Sequence, residues 1–210
     1  MIGLYRQLDT PQPRDLIEAV NSLNDKLGKN NVQILHNLAK PREIVVLAGY
    51  KSLADYESQS EEYASAGLPE IARDHGVSLV DQGFMVIEAV NDPNNTLRGT
   101  HDYVVLTGGL VKIGAMPNVI AVASRVIEKI GPEQLSQGIS SMVMRAVSGN
   151  NVNKMAYRLG LPSIEAAEEF ITRSPGSRPE VADDLKEWLS NMTAVSRGVF
   201  KVKRKLGPLD

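Results

Sequence analysis

The sequence predicts an α+β protein built from two βαββαβ units in tandem, residues 1–95 and 100–210, and three observations carry that reading. Segments recur in the same order in both halves. Leu16-Ile17 through Lys26-Leu27-Gly28 returns as Val119-Ile120 through Lys129-Ile130-Gly131, and Gly49-Tyr50-Lys51-Ser52-Leu53-Ala54-Asp55-Tyr56-Glu57 as Gly160-Leu161-Pro162-Ser163-Ile164-Glu165-Ala166-Ala167-Glu168. A repeat longer than solenoid periods and present only twice implies two similar small domains rather than an array. Within each half, apolar residues switch between a period of two and a period near 3.6 in the same succession. Between the halves, Asn91-Asp92-Pro93-Asn94-Asn95-Thr96-Leu97-Arg98-Gly99-Thr100 is a run of turn-formers that reads as the linker.

Each element follows from its own residues. Ile2 to Leu8 is a short apolar opening strand, and Pro11 and Pro13 punctuate the loop after it. Leu16, Val20, Leu23 and Leu27 recur at helical spacing up to Gly28 as a C-terminal stop. Val32 to Leu38 alternates, Lys40-Pro41-Arg42 turns, and Glu43 to Gly49 is a dense apolar run, so a hairpin is expected. Ser52 is placed to cap the helix of Leu53, Tyr56 and Tyr63, because its hydroxyl accepts from an unpaired first-turn amide. A turn of helix from Pro69 to His75 stops at Gly76, and Val77 to Val90 forms the closing strand. The second half repeats the pattern: a strand at 103–106, a helix at 119–130, a strand at 142–147, a turn at Ser148-Gly149-Asn150-Asn151, and a strand at 153–159. A helix capped by Ser163 runs to Arg173, Pro175-Gly176-Ser177 breaks it, another spans 179–191, and a strand at 198–206 ends the pattern.

This is the ferredoxin-like order, with helices covering one face of an antiparallel sheet. The other face of each sheet then needs cover, and two sheets in one chain supply it by packing face to face. The order, with the Gly49 to Glu57 segment after the third strand, resembles the dimeric α+β barrel superfamily, to which antibiotic-biosynthesis monooxygenases, NIPSNAP-type and EthD-type proteins belong. The resemblance implies a ligand-sized cavity between sheet and helices in each unit, in a superfamily that includes oxygenases, isomerases and haem proteins.

Composition narrows the function classes. With 210 residues, 42% of them hydrophobic, and a formal charge of −2, the chain has no global field to draw in nucleic acid or anionic membrane. The absence of cysteine removes disulfides, thiolate ligands and cysteine nucleophiles, so the cytoplasm is the expected compartment. No run approaches the ~20 apolar residues that span a bilayer. The basic run Arg197, Lys201, Lys203, Arg204 and Lys205 is interleaved with Val199, Phe200 and Val202, as on a solvated edge strand rather than a nucleic-acid surface. No GxGxxG or GxxxxGK pattern is present. The expected partner is a small hydrophobic ligand, with a homo-oligomer as a further possibility, and no nucleic acid or membrane.

The candidate chemistry is a metal-independent oxygenase or isomerase acting on a hydrophobic, enolisable substrate; a noncatalytic ligand-binding or assembly module is the alternative. His36, on a strand, carries an imidazole, a group whose unperturbed pKa is close to neutral, and so suits proton transfer from a phenol-like substrate. Tyr5, Arg6 and Tyr50 are the groups expected to orient the substrate and stabilise its oxyanion, and Tyr157 and Arg158 are further cavity-lining candidates. His75, just before Gly76, is a helix-terminal residue by default; the resemblance makes it the candidate axial ligand if haem binds, and otherwise no cofactor is expected. His101 reads as a solvated linker-edge residue and Trp188, between Leu185 and Leu189, as core. No close histidine spacing suggests a metal.

Overall fold

The computed structural model describes residues 2–150, 152–173 and 177–207. The first half contains β1 (Ile2–Asp9), α1 (Pro13–Lys26), β2 (Val32–Asn37), β3 (Glu43–Tyr50), α2 (Leu53–Ser65), α3 (Leu68–Asp74) and β4 (Ser78–Val90). The second contains β5 (Tyr103–Val111), α4 (Met116–Ser136), β6 (Ser140–Ala146), β7 (Lys154–Leu161), α5 (Ile164–Thr172), α6 (Ala182–Ser190) and β8 (Met192–Arg204). Both capping serines act as their position implies: Ser52 accepts from the Asp55 amide at 3.1 Å and Ser163 from the Ala166 amide at 3.3 Å. The 91–102 segment is a loop, and Asn151, Pro175 and Gly176 of the expected turns lie outside the described residues.

The sheets do not stack as two separate layers. All eight strands form one closed barrel in the order β1-β3-β2-β8-β5-β7-β6-β4, antiparallel at every pairing. Closure is the stronger solution, because it satisfies the backbone groups that stacked sheets leave unpaired at their edges. β4 and β8, each 13 residues long, make the seams: β4 pairs with β1 and β6, and β8 with β5 and β2. β8 therefore begins at Met192, six residues before the expected start, where residues 192–196 extend the pairing with β5.

Alternation along each strand separates two environments. Leu35, Val45, Val104, Phe200 and Val202, with Met85, Met144 and Ala146, fill the barrel interior. The intervening residues face the helices: Ile34 and Ile44 pack with Leu16 and Ile17 of α1, while Val111, Val143 and Met155 pack with Val119, Val122 and Ala123 of α4. An eight-stranded barrel is just wide enough for side chains to fill, so the interior is core rather than ligand space.

Gly131 does not stop α4, which continues through it and Pro132 to Ser136. Its missing side chain serves packing instead, since a Cβ there would stand 2.8 Å from the Asn91 Cβ. Asn91 occupies that space, donating to the Gly131 and Ile139 carbonyls and accepting from the Ser141 amide at 2.7 Å. One side chain from the end of β4 thus ties α4 to β6. No described helix is long and apolar enough to cross a membrane.

Candidate ligand site

A cavity of about 610 Å³ lies between the helices and the strands of the second half. Thr107 of β5 and Tyr157 of β7 form its floor, the exposed Arg197 of β8 stands at its mouth, and α4, α5 and α6 form its walls. The walls are mainly apolar, through Val126, Ile130, Phe170, Val181, Leu185 and Trp188. Its volume and lining are those of a small-molecule pocket. The matching space in the first half is filled: Tyr56 sits edge-on to Tyr50 at 5.3 Å and to Phe84 at 4.9 Å.

Polar groups in the cavity fall into two sets. At the floor, the Tyr157 hydroxyl is buried near Ser141 and Gln134 but has no hydrogen-bond partner among the described residues; burial pushes its pKa up, so it stays protonated. Trp188 is 7% exposed, and its indole nitrogen has no partner among the described residues. Around the cavity, Arg178 forks onto Glu133 at 3.0 and 3.1 Å and Arg173 pairs with Glu169. The Arg197 Nε donates to Thr107 Oγ1 at 3.1 Å, and its guanidinium lies 5.4 Å from the Phe170 ring centroid.

The residues expected to form a site are dispersed. His36 shares the helix-facing side of β2 with Ile34, at the hairpin end, where its Nε2 lies 2.7 Å from the Pro41 carbonyl oxygen. It is Asn37 that turns into the barrel, donating to Glu43 at 2.5 Å. Tyr5 also faces inward: it donates to Gln7 at 2.9 Å, lies under the Lys154 ammonium, and has its pKa raised by burial although Lys154 opposes the shift. Arg6 and Tyr50 occupy the opposite, helix-facing side, and the Arg6 Nη2 reaches the Tyr56 hydroxyl at 3.5 Å. Burial raises the Tyr50 pKa, with Arg6 opposing it. None of the four lines the second-half cavity. Arg158 likewise faces the barrel interior, so of the sequence candidates Tyr157 alone reaches the cavity.

His75 bonds back onto its own helix, with Nδ1 2.7 Å from the Ile71 carbonyl oxygen, and it does not line the cavity. The cavity residues do not fit haem ligation either: none is histidine or methionine, and the one phenol is held in its protonated form. His101 is not a solvated linker residue. It is 5% exposed, packed where a Gly160 side chain would stand, and burial together with the nearby Arg158 lowers its pKa to about 4.

The basic run is dispersed as well. Lys201 donates to Tyr103 at 3.0 Å, Arg204 pairs with Asp25 at 2.8 Å, Lys205 pairs with Asp102 at 2.7 Å, and Arg197 faces the cavity.

No family model matches the chain. One curated protein, a component of the glutamyl-tRNA(Gln) amidotransferase of Aeropyrum pernix, is 26% identical over 136 residues; the match takes in 65% of this chain but only 19% of that protein's length. The solved structures it resembles are nearer its own size. A candidate monooxygenase from Fusobacterium nucleatum superposes with a TM-score of 0.72 at 10% identity, over 100% of this chain and 96% of that one. An anthrone oxidase-like protein gives 0.65 at 12% identity, over 99% and 94%. A ferredoxin-fold protein related to antibiotic-biosynthesis monooxygenases, from Listeria monocytogenes, gives 0.50 at 10% identity, over 100% and 96%. With its closed antiparallel barrel and outer helices, the chain shares the fold of these solved structures, one of them a ferredoxin-fold protein related to antibiotic-biosynthesis monooxygenases.

Proposed function

We propose that this chain is a small-molecule enzyme of the dimeric α+β barrel kind, in which two βαββαβ units, 1–95 and 100–210, share one barrel and the second holds a ligand cavity. It takes a hydrophobic, enolisable substrate and acts on it without a metal, as an oxygenase or isomerase. The observation that carries this reading is the apolar 610 Å³ cavity with the buried, protonated Tyr157 at its floor. Enolisation places negative charge on the substrate oxygen, and a phenol fixed in a site that excludes water donates a hydrogen bond to that charge as it develops.

Anthrone, the compound named for one of the structural neighbours, is a suitable first substrate. Its oxidation consumes one O₂ and yields anthraquinone and water, so oxygen uptake and quinone absorbance report the same reaction. The expected result is protein-dependent turnover that falls roughly 10²- to 10³-fold in Tyr157→Phe, the scale for losing one oxyanion donor. The noncatalytic reading is favoured by one observation: both acidic groups that line the cavity, Glu133 and Glu169, are already engaged by arginines rather than free to meet a substrate. Anthrone that quenches Trp188 fluorescence without oxygen uptake or quinone formation would support that reading and reject the oxidase.

A further inference from the structure

We infer that the natural ligand of this cavity is amphipathic, with an anionic carboxylate-type head held by Arg197 at the mouth and an apolar body along α4 and α6. The inference rests on the proposed cavity site and adds the chemical class it takes. The residues around the cavity carry three arginines, Arg173, Arg178 and Arg197, against two glutamates, Glu133 and Glu169. Arg173 and Arg178 engage those glutamates, and Arg178 also lies 3.7 Å from Glu180. Arg197 has no carboxylate partner among the described residues.

Arg197 is also held in place. Its Nε is bonded to Thr107 and its plane lies near Phe170, while its two terminal nitrogens make no hydrogen bond to described protein groups. A guanidinium anchored through Nε, with both terminal amines open, presents the two-pronged donor that matches a carboxylate. Inward from it the walls are hydrocarbon: Val126, Ile130, Val181 and Leu185 bind an alkyl or polycyclic body but satisfy no second charge. A wholly apolar ligand would bury part of the Arg197 environment with nothing to compensate it, whereas an anion at the mouth pairs with the open Arg197 guanidinium.

Decanoate and decanol at pH 7 form a matched pair of probes, alike in chain and different in head-group charge. Trp188 is the single tryptophan of the chain and lines the cavity, so its fluorescence reports occupancy, and calorimetry gives the affinities. In the native protein decanoate should bind roughly tenfold more tightly than decanol, with the gap narrowing as salt rises. Arg197→Gln should equalise the two while leaving decanol affinity unchanged, and Arg197→Lys should restore part of the preference. Arg197 is exposed, so neither substitution disturbs the core. Equal affinities in the native protein, or a preference that survives in Arg197→Gln, would overturn the Arg197 assignment and leave the cavity reading standing. Failure of both probes to bind or to perturb Trp188 would defeat the cavity reading, and this inference with it.

Discussion

Arg158 and Gln33 meet inside the barrel, where the Arg158 Nη2 donates to Gln33 Oε1 at 3.0 Å from strands of opposite halves. Both are nearly inaccessible, and no described carboxylate pairs with Arg158; burial alone lowers its pKa to about 10. A buried cation with a single amide partner is costly, and it is costlier still without that partner. Gln33→Leu should therefore destabilise the protein by about 2–4 kcal/mol. Adding Arg158→Met to that variant should recover much of the loss, as measured by denaturant unfolding. A double mutant less stable than Gln33→Leu would show that the guanidinium makes a net favourable contribution.

His101 supplies a pH signature. Its pKa of about 4 in the folded protein lies below the unfolded value near 6.5, because burial first and Arg158 second disfavour the imidazolium. Between those values the unfolded chain binds the extra proton. Stability is accordingly complete above pH 6.5 and falls as pH drops from 6.5 towards 4, by about 3 kcal/mol. Replacing His101 with glutamine should flatten that part of the stability profile, whatever it does to stability at pH 7.5.

Gly160 is what admits His101. A Cβ at position 160 would stand 2.7 Å from the imidazole ring and from Ser140 Oγ. Gly160→Ala should cost about 2–3 kcal/mol, on the scale of an overpacked core. The same substitution in a His101→Ala background should cost appreciably less, and equal costs in a thermodynamic cycle would contradict this packing.

The cavity predicts opposite outcomes for neighbouring valines of α4. Val126 borders the open space, so Val126→Phe should change stability by no more than about 1 kcal/mol and should abolish decanol binding. Val122 is fully buried away from it, and Val122→Phe should cost about 1–3 kcal/mol. Thermal unfolding of the two variants separates a true cavity from filled core.

Much of the fold is legible because its determinants are local. The Ser52 and Ser163 caps, the stop of α1 before Gly28, the β2–β3 hairpin and the linker after Val90 each follow from a few consecutive residues. The helix expected at 119–130 instead runs on through Gly131 to Ser136, because a glycine next to a helix can mark a close approach rather than an end, and only the position of Asn91 shows which. His101 misleads for the same reason, since its burial is set by Gly160, far along the chain. His36 is an attractive candidate by chemistry, but strand alternation shows only that it and Asn37 face opposite ways, not which face is open.

The sequence by itself determined the order of strands and helices and the amphipathic faces, because these depend on periodicity and on side chains acting on their own backbone. Tertiary structure decided that the strands close into one barrel, that the interior is filled, and that a cavity opens beneath α4, α5 and α6. Those outcomes depend on volume. Tyr50, Tyr56 and Phe84 fill one helix–sheet space, whereas the side chains around Tyr157 and Trp188 leave the other open, and whether side chains brought together from distant segments fill a space is not written in any one of them.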